Sequence, residues 1–169
     1  MIEIPSTYSE LRKNLDSGKT SCVETVNFYL SKIKERENLN VFITLFENEA
    51  LEQAKIIDEK IKNGTAGELA GMVISVKDVI SIKDFLLTCG SKILSNFNAI
   101  YDATVIKKLK DADAILIGKV NCDEFAMGSS NENSFFGVTK NPIDESRVPR
   151  GSSAARAVSV ATGTCMVSI

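Results

Sequence analysis

The 169 residues contain no histidine and no tryptophan, and proline occurs only three times. Without histidine, a Ser-His-Asp hydrolytic arrangement is excluded, so any serine chemistry needs another base. A desolvated lysine is the natural substitute. Long hydrophobic runs are also missing. The longest, Met72 to Val76 and Ala114 to Gly118, are strand-length and far short of a membrane span. The N-terminus carries Glu3 and Glu10 and no cationic-then-apolar pattern, so no signal peptide is expected. A net charge of -2 provides no basic field, and direct nucleic-acid binding is not expected. Cys22, Cys89, Cys122 and Cys165 lack the close pairing of metal sites, which leaves reduced, mostly buried thiols in a cytoplasmic protein as the expectation.

What is present suits one α/β domain with a real core: 44% hydrophobic and 25% charged residues. Thr7 to Glu10 and Ser21 to Glu24 are both capping-box patterns. The first opens a helix with Tyr8, Leu11 and Leu15 on one face and Gly18 as its stop. The second opens one with Cys22, Val26, Tyr29, Leu30 and Ile33 as its stripe, fading in the solvated charges of 34–37. Val41 to Leu45 is a strand, and Ala50, Ala54, Ile57 and Ile61 mark a helix closed by Asn63-Gly64. Met72 to Val76 is apolar apart from Ser75, as in a strand buried on both faces. Asp78 beside Lys77 suggests a surface ion pair.

Residues 80–98 are expected to form loops and a short helix, and Asp102 to Thr104 to start another helix with Val105, Ile106 and Leu109 facing inward. Ala114 to Gly118 is a buried strand, and strand, helix, strand at this spacing marks an α/β sheet. A short helix is expected over 121–127. The stretch 121–150 is otherwise a long loop whose aromatics and short polar side chains favour a functional role over a linker. Ala154 to Thr162 is an Ala-rich helix, and 165–169 is expected to start a further buried strand, which leaves the sheet unfinished. Gly151 alone makes no phosphate-cradling loop.

Two stretches carry chemistry together. Lys77 ends the buried strand of 72–76, where a lysine is costly to desolvate without partners. Gly151-Ser152-Ser153 presents hydroxyls from a turn entering a helix. Taken singly, Lys77 is an ordinary lysine snorkelling to solvent, and the serines are a helix N-cap.

Gly71 to Asp78, Asp102 to Val105, Gly118 to Gly128, and Asn141-Pro142 followed by Gly151-Ser-Ser153 resemble the amidase signature family. Within it the chain is most similar to the A subunits of tRNA-dependent amidotransferases, with Asp123 to Gly137 the most specific part. The likeness covers essentially the whole chain but only about the N-terminal third of a full-length member. It implies an α/β/α sandwich with a mixed central sheet, incomplete at its C-terminal side. Residues 1–63 form a helical N-terminal segment of a single amidase domain, and 69–169 start the signature core.

The chemistry implied is a Ser-Ser-Lys triad. Lys77 matches the catalytic lysine and Ser152 the bridging serine, which in the family follows a cis peptide, here Gly151-Ser152. Neutral Lys77 accepts the Ser152 proton while Ser152 accepts one from the nucleophile. The resemblance also assigns substrate contacts to Met127, Gly128 and Ser129, and no metal. In the family, glutamine is deamidated and ammonia passes to a partner that activates glutamyl-tRNA. The partners are subunits of the B and C types; ATP and Mg belong to the partner, and this chain needs no cofactor of its own.

Two departures stand out. Arg150, Ala154, Ala155 and Arg156 occupy positions that are glycines, or a further serine, in the family motif. Glycine replacement at a positive φ or in a crowded backbone costs stability or geometry. Secondly, the family's nucleophilic serine and its oxyanion-hole amides, donors that contribute about 2.7–4 kcal/mol, belong to a motif beyond Ile169. Inactivity in isolation is therefore expected. Two further readings stay open: a non-catalytic remnant or partner-binding module, and a piece of another amidase acting on a small amide. An exposed apolar sheet edge or face is expected where further elements would pack.

Overall fold

The computed structural model describes residues 4–169, with α1 at Tyr8–Asp16, α2 at Cys22–Glu35, β1 at Phe42–Leu45 and α3 at Glu47–Lys62. These are followed by β2 at Val73–Lys77, α4 at Thr104–Asp111, β3 at Ile115–Val120, α5 at Ala154–Ala161 and β4 at Val167–Ser168. The four strands lie in the order β1-β3-β2-β4. β2 runs parallel to both neighbours, and β1 is antiparallel to β3, so the sheet is mixed.

Local chemistry fixes the helix starts. Thr7 caps α1 by accepting from the Glu10 N–H, and Ser21 caps α2 with the reciprocal Glu24 bond of a full capping box. Asp58 of α3 adds a second clamp, accepting from the Cys22 N–H at 2.7 Å and the Val23 N–H at 3.2 Å. An anion at a helix N-terminus satisfies donors that otherwise lack partners.

Helices cover both faces. Leu11, Val26, Tyr29, Ala54 and Ile57 pack on Val73, Ile115 and Ile117 on one side. Ile74, Val76 and Leu116 meet Ile106 of α4 on the other. Ala155 and Val158 of α5 close over Val120 beside Leu39 and Val41. Every residue of β2 and β3 is buried, the polar Ser75, Lys77 and Lys119 along with their apolar neighbours. The N-terminal segment is more than a helical cap, because it contributes β1 to the sheet.

Several expectations are corrected. No helix forms over 80–98; the stretch is turns and one isolated bridge between Leu86 and Asn98. Residues 121–127 form only a single 3-10 turn at Glu124–Ala126, because Phe125 and Ala126 both take positive φ. Val105 is 41% exposed and lies off the buried stripe of α4. β4 is a half-buried edge, since it pairs on one side only. Among the described residues, the exposed large apolar side chains belong to loops and helices, among them Ile93, Ile100, Met127 and Ile143, and to none of the strands. Asp78 is fully buried and forms no surface pair with Lys77.

The long loop is pinned by short polar side chains. Asn121 Nδ2 donates to the Gly137 carbonyl at 2.9 Å, and Ser134 donates to Asn121 Oδ1 at 2.6 Å. Asn40, in the left-handed region just before β1, donates to the Phe136 carbonyl at 2.8 Å. Thr139 returns a bond to the Asn40 carbonyl at 3.0 Å. Buried polar atoms that are paired in this way order a loop without an apolar core of its own.

Candidate functional site

The end of β2 meets the start of α5. Lys77 is only 6% exposed, and its amine donates to Ser152 Oγ at 2.9 Å and to Ser153 Oγ at 3.1 Å. The Gly151-Ser152 peptide is cis. Ser153 occupies the N-cap position of α5, yet its side chain makes no capping bond. Its hydroxyl faces Lys77 instead, so the snorkelling-lysine and helix-cap alternatives both give way to one polar cluster. Sequence reasoning found Ser152 by motif and left Ser153 as a cap. The only signal for Ser153 was its adjacency in the Gly-Ser-Ser turn.

Burial pushes the Lys77 amine below the ordinary lysine value, and the nearby Arg156 pushes it the same way. The Cys122 thiol is itself pushed up to about 12 by burial, so it is a neutral neighbour rather than a thiolate.

Behind Lys77 lies a second buried lysine. Lys119 Nζ is 3.1 Å from Asp78 Oδ1, but the contact lacks hydrogen-bond alignment, and Lys119 donates to the Ile80 carbonyl at 2.7 Å. Asp78 Oδ2 accepts from the Thr88 N–H at 3.1 Å and from the Thr88 hydroxyl. Strand geometry explains the division of labour: successive side chains point to opposite faces, so Lys77 meets α5 while Asp78 turns to β3 and the 88–91 turn.

Met127, Gly128 and Ser129 are not equivalent. Met127 is 79% exposed. Gly128 packs on the Asp123 carboxylate, where a Cβ would lie 2.8 Å from the Asp123 Cβ. The Ser129 carbonyl accepts from the Gly151 N–H and fastens this loop to the serine turn. The structure thus brings Gly128 and Ser129 to the Lys77 cluster through their backbone and leaves the Met127 side chain outside it. Arg150 is exposed with φ 91°, and Arg156 has a buried Nε without a hydrogen-bond partner among the described residues.

A buried lysine whose amine is biased towards its neutral form and bonded to a serine is a base–hydroxyl pair suited to moving a proton. Among the described residues no group of three or more His, Cys, Asp or Glu could hold a metal ion. An open groove between α2 and β1, lined by Leu30, Lys34, Phe42 and Thr44 among others, includes none of Lys77, Ser152 and Ser153. No described helix is long and apolar enough to cross a membrane.

Comparison with known proteins agrees with the fold. The family model Amidase matches residues 24–169. The A subunit of glutamyl-tRNA(Gln) amidotransferase from Pelodictyon phaeoclathratiforme is 48% identical over 165 residues, covering 97% of this chain and 35% of that protein. Among solved structures, one described as a vestigial protein complex revealing the evolutionary origins of an s-triazine catabolic enzyme superposes with a TM-score of 0.89. It is 33% identical, covering 94% of this chain and 35% of that one. The A subunit of glutamyl-tRNA(Gln) amidotransferase from Thermotoga maritima gives a TM-score of 0.73 at 34% identity, covering 98% of this chain and 34% of that one. The chain spans about a third of the length of the relatives it matches. From the matched signature core and the shared α/β fold, the chain belongs to the amidase family.

Proposed function

We propose that these residues are the lysine-and-bridging-serine part of a glutamine-hydrolysing amidotransferase. The observation that carries the reading is the 2.9 Å contact between Lys77 Nζ and Ser152 Oγ, with Lys77 buried. Neutral Lys77 takes the Ser152 proton as Ser152 takes one from a nucleophilic serine. That serine attacks the amide carbon, the proton returns from Lys77 through Ser152 to the departing nitrogen so that ammonia leaves, and water then hydrolyses the acyl-serine to release the acid. The similarity to the A subunits of glutamyl-tRNA(Gln) amidotransferases favours glutamine as the amide. It also favours B- and C-type partner subunits that use the ammonia on glutamyl-tRNA with ATP and Mg, in the cytoplasm. The family's nucleophile position is not among these 169 residues, so the chain alone is inactive in this reading.

The test is ammonia release from glutamine by the chain alone and by the chain joined to the remaining two thirds of a full-length amidotransferase relative. The first should release none. The joined protein should release ammonia, and Lys77→Ala or Ser152→Ala should abolish it. Release that survives either substitution, or a folded joined protein that releases none, sinks the reading.

One observation favours a second reading, a non-catalytic member. Arg150 stands at a positive φ, and Arg156 places a charge with an unpartnered Nε beside Lys77. If the joined protein gains activity only after Arg150→Gly and Arg156→Ser, the chain is a remnant that has lost the chemistry.

A further inference from the structure

The residue after Lys77 is gripped by the turn at 88–91. The Cys89 N–H donates to the Asp78 carbonyl at 3.0 Å. The Thr88 N–H donates to Asp78 Oδ2 at 3.1 Å, and the Thr88 hydroxyl donates to the same oxygen. With its remaining groups the same turn holds the long loop. The Cys89 carbonyl accepts from the Phe125 N–H and the Gly90 carbonyl from the Phe135 N–H, both at 2.8 Å. The Ser91 hydroxyl donates to Glu124 Oε1 at 2.5 Å. Thr88 and Ser91 are fully buried, yet no side chain of the turn belongs to the apolar clusters among the described residues. Burying polar groups without apolar contact costs free energy that only their hydrogen bonds offset, so the bonds are what this turn provides.

These contacts close a circuit around the site. From Lys77 it runs through Asp78 to the turn, and from Cys89 and Ser91 to residues 124–125. It follows the loop to Ser129, whose carbonyl accepts from the Gly151 N–H, and returns from Ser152 to Lys77 at 2.9 Å. We propose that Thr88 and Ser91 are positioning residues of the Lys77–Ser152 pair, their turn fixing the strand that carries Lys77 relative to the loop that holds the serine turn. The inference rests on the base role given to Lys77 above, since a proton-transfer pair is the kind of contact that needs a fixed distance. Neither hydroxyl bonds Lys77 or Ser152, so both act through the circuit. Gly90, at φ 67°, lets the turn come this close: a Cβ there would lie 2.7 Å from the Cys122 carbonyl oxygen.

The test is NMR on the 169-residue chain, on Ser91→Ala and Thr88→Val, and on Thr139→Val as the control. Thr139 is also fully buried and pins the same loop through the Asn40 carbonyl, but it lies outside the circuit. In Ser91→Ala and Thr88→Val the Gly151 amide should exchange with solvent about fivefold faster, the factor set by one lost hydrogen bond. The NOE between the Lys77 ε-methylene and the Ser152 β-methylene should weaken with it. Thr139→Val should leave both unchanged. A Gly151 exchange rate or an NOE unchanged in both folded variants overturns the proposal, as does an equal change in Thr139→Val. The unaltered chain gives a reading that requires no variant to fold. Its Cys89, Phe125 and Gly151 amides should open as one unit with a common protection, and a spread beyond about tenfold overturns the proposal. A Lys77 amine that titrates at the ordinary lysine value instead overturns the base role and leaves the circuit standing, so the two failures are distinguishable.

Discussion

Lys119 and Asp78 form an ion pair across the sheet with 0% and 1% of their side chains exposed. The pair connects β3 to the residue after Lys77 and, through Thr88, to the turn beyond it. Breaking one half strands the other charge in the interior. Lys119→Met is therefore expected to destabilise the chain by about 3–5 kcal/mol, and Lys119→Met with Asp78→Asn by clearly less. Urea unfolding of Lys119→Met, Asp78→Asn and the double variant checks this. A double substitution as costly as the sum of both singles would show that the two residues do not act as a pair.

Lys77 makes a pH-dependent contribution of definite sign. Its amine is held below the ordinary lysine value when folded, so the unfolded chain binds the extra proton over the window between the folded value and about 10.4. The burial penalty on the charged amine is fully present below the folded value and fades as pH rises through that window. The four cysteines act oppositely: all are raised by burial, so unfolding releases their protons above about 8.5 and favours the unfolded state there. The difference between the native chain and Lys77→Met isolates the lysine. Lys77→Met should be the more stable at neutral pH, with its advantage shrinking towards about pH 10. A constant difference across that range would mean Lys77 keeps its ordinary lysine value when folded.

Lys77 could be found in the sequence because it ends a largely apolar run, and the buried strands because their stretches are mostly apolar, with Ser75 and Lys119 the polar exceptions that the sequence did not flag as buried. Ser152 needed the family motif, since a Gly-Ser-Ser turn before a helix is equally a cap. Asp78 was misread because adjacency in a strand means opposite faces, and its partner Lys119 comes from a different strand. The helix expected at 121–127 fails at Phe125 and Ala126, whose positive φ is imposed by contacts rather than by glycine. The Phe125 N–H reaches the Cys89 carbonyl at 2.8 Å. The burial of Asp123 likewise depends on two glycines distant from each other in the chain, Gly128 and Gly151, and no local pattern announces it.

Gly118 tests the packing of β1 on β3. A Cβ there would lie 2.5 Å from the Thr44 carbonyl oxygen and 3.1 Å from the Phe42 ring. Both neighbours belong to the edge strand, and the carbonyl is backbone that cannot rotate aside. Gly118→Ala should lift β1 from the sheet at a cost of about 1–3 kcal/mol. Hydrogen exchange should show faster exchange for the Phe46 and Asn121 amides, which bond to Ile117 and Val41 across this junction. Unchanged exchange at both would mean that the strand moves as a unit and absorbs the methyl group.

Arg150 stands at φ 91° with its side chain in solvent, at a position where the family motif carries glycine. Two opposing effects decide what restoring glycine does. Relief of the left-handed backbone is favourable by about 1–2 kcal/mol, while the added freedom of the unfolded glycine costs about 0.5–1 kcal/mol. The first wins, because the exposed arginine side chain makes no hydrogen bond or ion pair among the described residues whose loss needs to be added. Arg150→Gly should therefore stabilise the chain modestly, by up to about 1 kcal/mol, read as a higher urea midpoint at unchanged slope. The same substitution should leave the Lys77–Ser152 contact in place, since the Gly151 N–H remains bonded to the Ser129 carbonyl. A lower midpoint would mean that the arginine makes a stabilising contact in solution, and that this departure from the motif is an accommodation rather than a strain.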